Sequence, residues 1–128
     1  MADDLKNYER WFEKAEEDKI AAGTMLREKI SPSNICFHSQ QMVEKYLKGL
    51  LVYYKKKFRK VHDLLELEKN LLSVAPDIKE YEKDLDLLSQ YYIETRYPGE
   101  YPEFTLDEAK QAFEAAKRIK KFVLEKMN

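Results

Sequence analysis

Apolar residues recur at spacings of three and four along nearly the whole chain, the period that lines one face of an α-helix. Tyr8, Trp11, Ala15, Ala22 and Leu26 share such a face, which predicts a first helix from about Asp4 to Lys29, closed by the turn Ile30-Ser31-Pro32. Ser33 offers an N-cap for a second helix, in which Cys36, Gln40, Val43, Leu47, Leu50 and Tyr54 form one stripe. Gln40 is the polar exception in it. At about 100° per residue, Ile35, Met42, Tyr46 and Tyr53 make a second stripe roughly a quarter turn away, so this helix is expected to pack on two sides. His38 falls on its polar side and is expected at the surface, with no role.

The basic run from Lys55 to Lys60 ends the second helix with cations that suit its negative end. His62-Asp63-Leu64 then opens a shorter helix reaching about Ser73, with Asp63 complementing the positive helix end and His62 capping or hydrogen-bonding locally. Ala75-Pro76-Asp77 breaks the chain and caps a fourth helix, whose shared face holds Ile78, Tyr81, Leu85, Leu88, Tyr92 and Thr95. Arg96-Tyr97-Pro98-Gly99 ends it in a turn. Thr105-Leu106-Asp107-Glu108 has the form of a capping box and starts a last helix, with Ala109, Ala112, Phe113, Ala116, Ile119 and Val123 facing inward. No segment has a strand pattern. The expected fold is all-α, an up-and-down antiparallel bundle of four to five helices in which residues 1–128 form a single domain without internal repeats or a linker.

Composition agrees with a helical, well-solvated bundle: hydrophobic residues make up 44% and charged residues 37%, with only three Gly and four Pro to break helices. Twenty-three Lys and Arg nearly balance 24 Asp and Glu, so no global positive field draws the chain to a phosphate backbone and any nucleic-acid site must be local. The lone Cys36 lies in an apolar pattern, where it acts as a small buried hydrophobe, and this points to a reducing, cytoplasmic setting. The first residues lack the apolar core of a signal peptide, and no run is long enough to span a membrane.

The chain has no Gly-rich phosphate loop, no paired Cys, no nucleophile elbow and no His-Glu-x-x-His zinc helix. With two histidines, His38 and His62, a His-rich metal site is impossible, and no metal or cofactor is expected. Asp18 stands at the margin of the first apolar stripe and needs a cation or donor there, such as Gln40 or Arg96. The segment from Tyr91 to Tyr101 gathers aromatic rings around Arg96, a combination that can stack a base and hold a phosphate, or that can cap a helix and fill space between helices.

Trp11 with Ala15 and Asp18, then Ser39-Gln40-Gln41-Met42-Val43-Glu44-Lys45-Tyr46-Leu47-Lys48, then His62-Asp63-Leu64, then Thr95-Arg96-Tyr97-Pro98, occur in that order. Over essentially its whole length the chain resembles the HEPN family (higher eukaryotes and prokaryotes nucleotide-binding). The resemblance implies a helical bundle that commonly forms homodimers and is often paired with a minimal nucleotidyltransferase in a toxin-antitoxin-like system. Many members are metal-independent ribonucleases that use an Arg followed, after four to six residues, by a His. Arg96 matches the Arg, but Tyr101 stands where the His is expected, and no His follows His62. An Arg can hold the scissile phosphate, whereas a Tyr with a pKa near about 10 is a poor base at neutral pH.

The function expected from the resemblance is therefore nucleotide or RNA-phosphate binding by Arg96, Tyr97 and Tyr101, supported by Asp18, Gln40 and His62, without efficient cleavage. Two alternatives stay open: a ribonuclease in which Tyr101, Glu100 or His62 takes the proton, and a purely structural interaction bundle. A homodimer is expected because the second stripe of the second helix gives a small bundle two apolar faces to cover.

Overall fold

The computed structural model describes residues 7–92 and 103–127. Its elements are α1 (Tyr8–Glu28), α2 (Pro32–Tyr53), α3 (Leu64–Leu71), a 3-10 helix (Pro76–Tyr81), α4 (Glu82–Ser89) and α5 (Leu106–Lys126). They form an all-α antiparallel bundle, with no strand among the described residues.

The termini of these helices follow from local chemistry. Asn7 caps α1, its side chain accepting from the backbone N–H of Glu9 at 2.9 Å. Lys29, in the left-handed region at φ 57°, ends the helix and returns its N–H to Leu26 O at 3.1 Å. The N-cap of α2 is Ser31, with Pro32 in the first turn, in place of the expected Ser33. Proline fixes the helical φ and lacks the N–H that would go unsatisfied there, so the helix begins two residues earlier. Ser33 Oγ is thereby free to accept from Phe104 N at 3.4 Å, tying the entry to α5 back onto α2. Asp63 caps α3 through the N–H groups of Leu65 and Glu66, and Thr105 and Glu108 complete the expected capping box of α5. The expected fourth helix is divided: Pro76 starts a tighter 3-10 turn, and regular α-helix begins only at Glu82.

The core lies around α2, which packs against α1 along one side and α5 along another. Leu47, Leu50, Leu51, Ile78, Leu85, Ile119 and Val123 are fully buried there. All six residues expected to face inward from α5 do so. Cys36 is also fully buried, and burial, with the charge of Glu108, pushes its thiol up to about 12.

The second stripe of α2 corrects the basis on which a homodimer was expected. Ile35, Met42 and Tyr46 are buried within the chain itself, and Tyr53 alone of the four is exposed. Phe12 of α1 meets the Tyr46 ring at 5.2 Å, and Tyr46 donates its hydroxyl to Glu16 of α1, so α1 covers the stripe. Packing on two sides is satisfied by α1 and α5, with no second copy required.

Candidate functional site

Ser39, Gln40, Glu44 and Lys48 lie buried along α2, an unusual polar load for a central helix. Residues four apart stand one above another on a helix, so Gln40, Glu44 and Lys48 form a single row. Burying the Glu44 carboxylate is costly unless it is paired and hydrogen-bonded. Lys48 Nζ answers it at 2.9 Å, both side chains being less than a tenth exposed. Gln40 and Gln41 donate to Glu44 Oε1 at 3.4 and 3.3 Å. Gln40 also donates to the backbone carbonyl of His62 at 3.1 Å, which fixes the loop before α3 against α2.

His62 completes the group, with Nδ1 at 3.0 and 3.1 Å from the two carboxylate oxygens of Glu44. An ionised carboxylate only accepts, so Nδ1 must donate, and in the neutral ring Nε2 is the remaining acceptor. The expected local capping role thus belongs to Asp63, while His62 is held by a helix from which it is distant in sequence. The His62 side chain remains half exposed.

A second imidazole is held in a similar way. Asp18, buried on α1, receives His38 Nδ1 at 2.8 Å and Lys45 Nζ at 2.6 Å. His38 is therefore a half-buried partner of Asp18, which corrects the expectation of a free surface side chain. Asp18 and Gln40 are both buried and hydrogen-bonded, but not to each other: Asp18 serves α1–α2 packing and Gln40 the contact with His62. Each histidine is anchored by a carboxylate that also binds a lysine. Aromatic rings connect them, with Phe37 5.5 Å from His38 and 6.3 Å from Tyr92, and Tyr92 stacked on His62 at 4.1 Å.

Arg96, Tyr97 and Tyr101 lie outside the described residues. The described residues nearest to them in sequence are fixed close to His62 and the start of α2. Tyr92 is on His62, the Tyr91 ring is 4.9 Å from that of Phe104, and Phe104 is bonded to Ser33. Within the basic run after α2, Arg59 is paired with Glu66. Among the described residues no three His, Cys, Asp or Glu side chains gather as a metal site, and no helix is long and apolar enough to cross a membrane.

The central helix of the bundle thus carries a buried carboxylate–lysine pair beside a half-exposed histidine. The HEPN domain profile matches residues 8–127, and the chain belongs to the HEPN family, which is generally linked to nucleotides and RNA. Its structure is similar to that of TT1696 from Thermus thermophilus, with TM-score 0.81 and 30% identity, over 93% of this chain and 97% of that one. It is also similar to ST0689, an archaeal HEPN homologue, with TM-score 0.75 and 26% identity, over 95% of this chain and 98% of that one. No curated protein matches the chain.

Proposed function

We propose that the chain is a HEPN-type nucleotide- or RNA-phosphate-binding subunit that does not cut RNA efficiently, with Arg96, Tyr97 and Tyr101 as its binding residues together with the ledge formed by His62 and Tyr92. The supporting observation is the stack of His62 on Tyr92, four positions before Arg96, above the buried Glu44–Lys48 pair. The ledge offers a flat aromatic surface and an exposed imidazole, and Arg96 adds a fixed positive charge suited to a phosphate. Asp18, Gln40 and Glu44 act as support, Asp18 holding the His38 ring, Glu44 the His62 ring and Gln40 the backbone of His62. A cytoplasmic homodimer, paired with a minimal nucleotidyltransferase in a toxin-antitoxin-like system, is part of the proposal. The family's frequent dimers support the first element.

A second reading is favoured by one feature of His62. An exposed imidazole whose Nδ1 is bound to a buried carboxylate has the arrangement of a general base, with Nε2 available for the proton of a 2′-hydroxyl. In that reading the chain is a metal-independent ribonuclease with His62 replacing the family's missing His.

RNA cleavage with and without EDTA, together with titration of RNA and nucleotides, separates the two. Wild type, Arg96→Ala, His62→Gln and Tyr101→Phe are compared. Binding that weakens in Arg96→Ala, without cleavage by wild type, supports the binding subunit. Robust EDTA-resistant cleavage abolished by His62→Gln establishes the second reading, and affinity unchanged in Arg96→Ala rejects the proposed role of that residue.

A further inference from the structure

Away from the histidine ledge, α1 and α5 enclose an open groove of about 460 Å³ lined by Lys19, Ile20, Gly23, Arg27, Phe113 and Lys117, with Lys110 and Glu114 at its wall. Four cations face one carboxylate there, in a chain whose formal net charge is −1. Among the described residues none of the four makes an ion pair. Arg27 reaches only the Thr24 hydroxyl, at 3.3 Å, and Lys117 lies over the Phe113 ring at 5.1 Å. Of the acids one turn earlier on α1, Glu17 is engaged by Lys14 at 3.5 Å, and Glu16 is bound to Lys120 at 2.9 Å while also feeling the charge of Lys19. The groove therefore keeps a local positive excess, as a balanced chain requires if it is to bind phosphates at all.

The spacing of the cations indicates the kind of anion. Lys19 and Arg27 are separated by about 12 Å along α1, and Lys110 and Lys117 by about 10 Å along α5, at the rise of about 1.5 Å per residue. Cations spread along such a row can engage successive phosphates of a linked chain at once, which multiplies the contacts beyond those to a single phosphate. Ile20, 65% exposed, gives the groove an apolar shelf beside its charges. Gly23 keeps the floor open, since a Cβ there would stand 3.4 Å from Phe113 Cζ and any longer side chain would fill the space.

We infer that the α1–α5 groove is a binding site for linked phosphates, as carried by a nucleoside triphosphate or by the backbone of single-stranded RNA. Lys19, Arg27, Lys110 and Lys117 hold the phosphates, and Ile20 packs against the attached base or sugar. The groove shares no lining residue with the site proposed above and stands or falls independently of it.

The test uses the full chain with three probes: inorganic tripolyphosphate, ATP and a short single-stranded RNA. Wild type is compared with the double variant Lys110→Gln/Lys117→Gln, with Gly23→Leu and with Arg96→Ala, each first checked by thermal melting for an intact fold. The double variant is expected to weaken every probe that binds the groove by about tenfold or more. If RNA is the ligand, the slope of log affinity against log salt should become shallower by about 1.4, for two lost phosphate contacts on a single strand. Gly23→Leu should weaken ATP or RNA more than tripolyphosphate. Tripolyphosphate bound but ATP and RNA not would assign the groove to polyphosphate alone and overturn the shelf assigned to Ile20. Affinities for all three probes equal in wild type and the folded double variant would overturn the site, whatever Arg96→Ala does.

Discussion

His62 lies flat against Tyr92, with ring centroids 4.1 Å apart and ring planes 14° from parallel, while the same imidazole is bound through Nδ1 to the buried Glu44. The carboxylate sets the direction of the ring and the tyrosine covers one of its faces. Tyr92→Leu keeps an apolar side chain but removes the stack, so it should destabilise the fold by about 0.5–1.5 kcal/mol, the usual worth of an aromatic pair. If the ledge takes part in binding, the same variant also weakens RNA or nucleotide affinity. Chemical denaturation and ligand titration of this one variant read both effects, and a stability loss with unchanged affinity would remove Tyr92 from the binding surface.

Glu44 and Lys48 should show strong non-additivity. Each neutralises a charge that is otherwise cut off from water, their side chains being 4% and 7% exposed. Glu44→Leu alone strands the lysine and releases His62 and Gln40, at a cost of about 3–5 kcal/mol. Adding Lys48→Met removes the stranded charge and should recover a large part of that loss. Equilibrium denaturation of the two singles and the double closes the cycle. A double variant as unstable as the sum of the singles would mean that the pair contributes nothing as a pair.

Most helices were legible in the sequence because apolar spacing and capping chemistry are local, as the capping box at Thr105 and the inward face from Ala109 to Val123 illustrate, while the fourth, expected to carry Tyr92 on its face, is a 3-10 turn followed by a helix that ends at Ser89. The polar centre was only half legible. Gln40 and Asp18 were visible as breaks in apolar stripes, but their partners are set by how α1, α2 and the loop before α3 meet, and no periodicity encodes that. His38 was misplaced for this reason: its angle on α2 points away from the core, yet Asp18 on the neighbouring helix is there to receive it. The signal that could have found the rest was Gln40, Glu44 and Lys48 at successive four-residue steps, a polar row in a helix whose other buried positions are nearly all apolar. The same limit explains the second stripe of α2, whose periodicity announced burial without revealing that α1 supplies it.

Glu68 is expected to be a site of stored instability. It is 3% exposed, its Oε2 has no hydrogen-bond partner among the described residues, and burial, with repulsion from Glu82, holds its carboxyl above the ordinary value of 4.5. Where both states are protonated, below that ordinary value, the group makes little difference to stability. As pH rises through it, the unfolded chain ionises freely while the folded chain resists, so native stability declines until the raised folded value is passed. Glu68→Met should therefore raise the melting temperature near about pH 7, and the gain should shrink near about pH 4. A gain of equal size at both pH values would point to packing in place of charge.

At Gly49 α2 leaves no room for a side chain against α1, and two opposing effects decide what an added methyl group does there. In a helix interior, Gly→Ala ordinarily stabilises by about 1 kcal/mol, since it removes backbone freedom from the unfolded chain. At this position, however, the new Cβ would stand 2.5 Å from Phe12 Cε1, 2.8 Å from Phe12 Cδ1 and 3.0 Å from Trp11 Cβ. The Phe12 ring has no easy retreat, lying 5.8 Å from Tyr8 on one side and 5.2 Å from the buried Tyr46 on another. Trp11 Cβ is attached directly to the backbone and cannot swing aside without moving α1. Overpacking of this kind costs about 1–3 kcal/mol, so the clash outweighs the propensity gain and Gly49→Ala should be net destabilising. Gly49→Ala combined with Phe12→Leu should recover part of the loss, because a smaller side chain makes room at the crossing. Urea denaturation of the single and double variants decides the matter, and a Gly49→Ala protein more stable than wild type would show that the two helices can separate at this crossing at little cost.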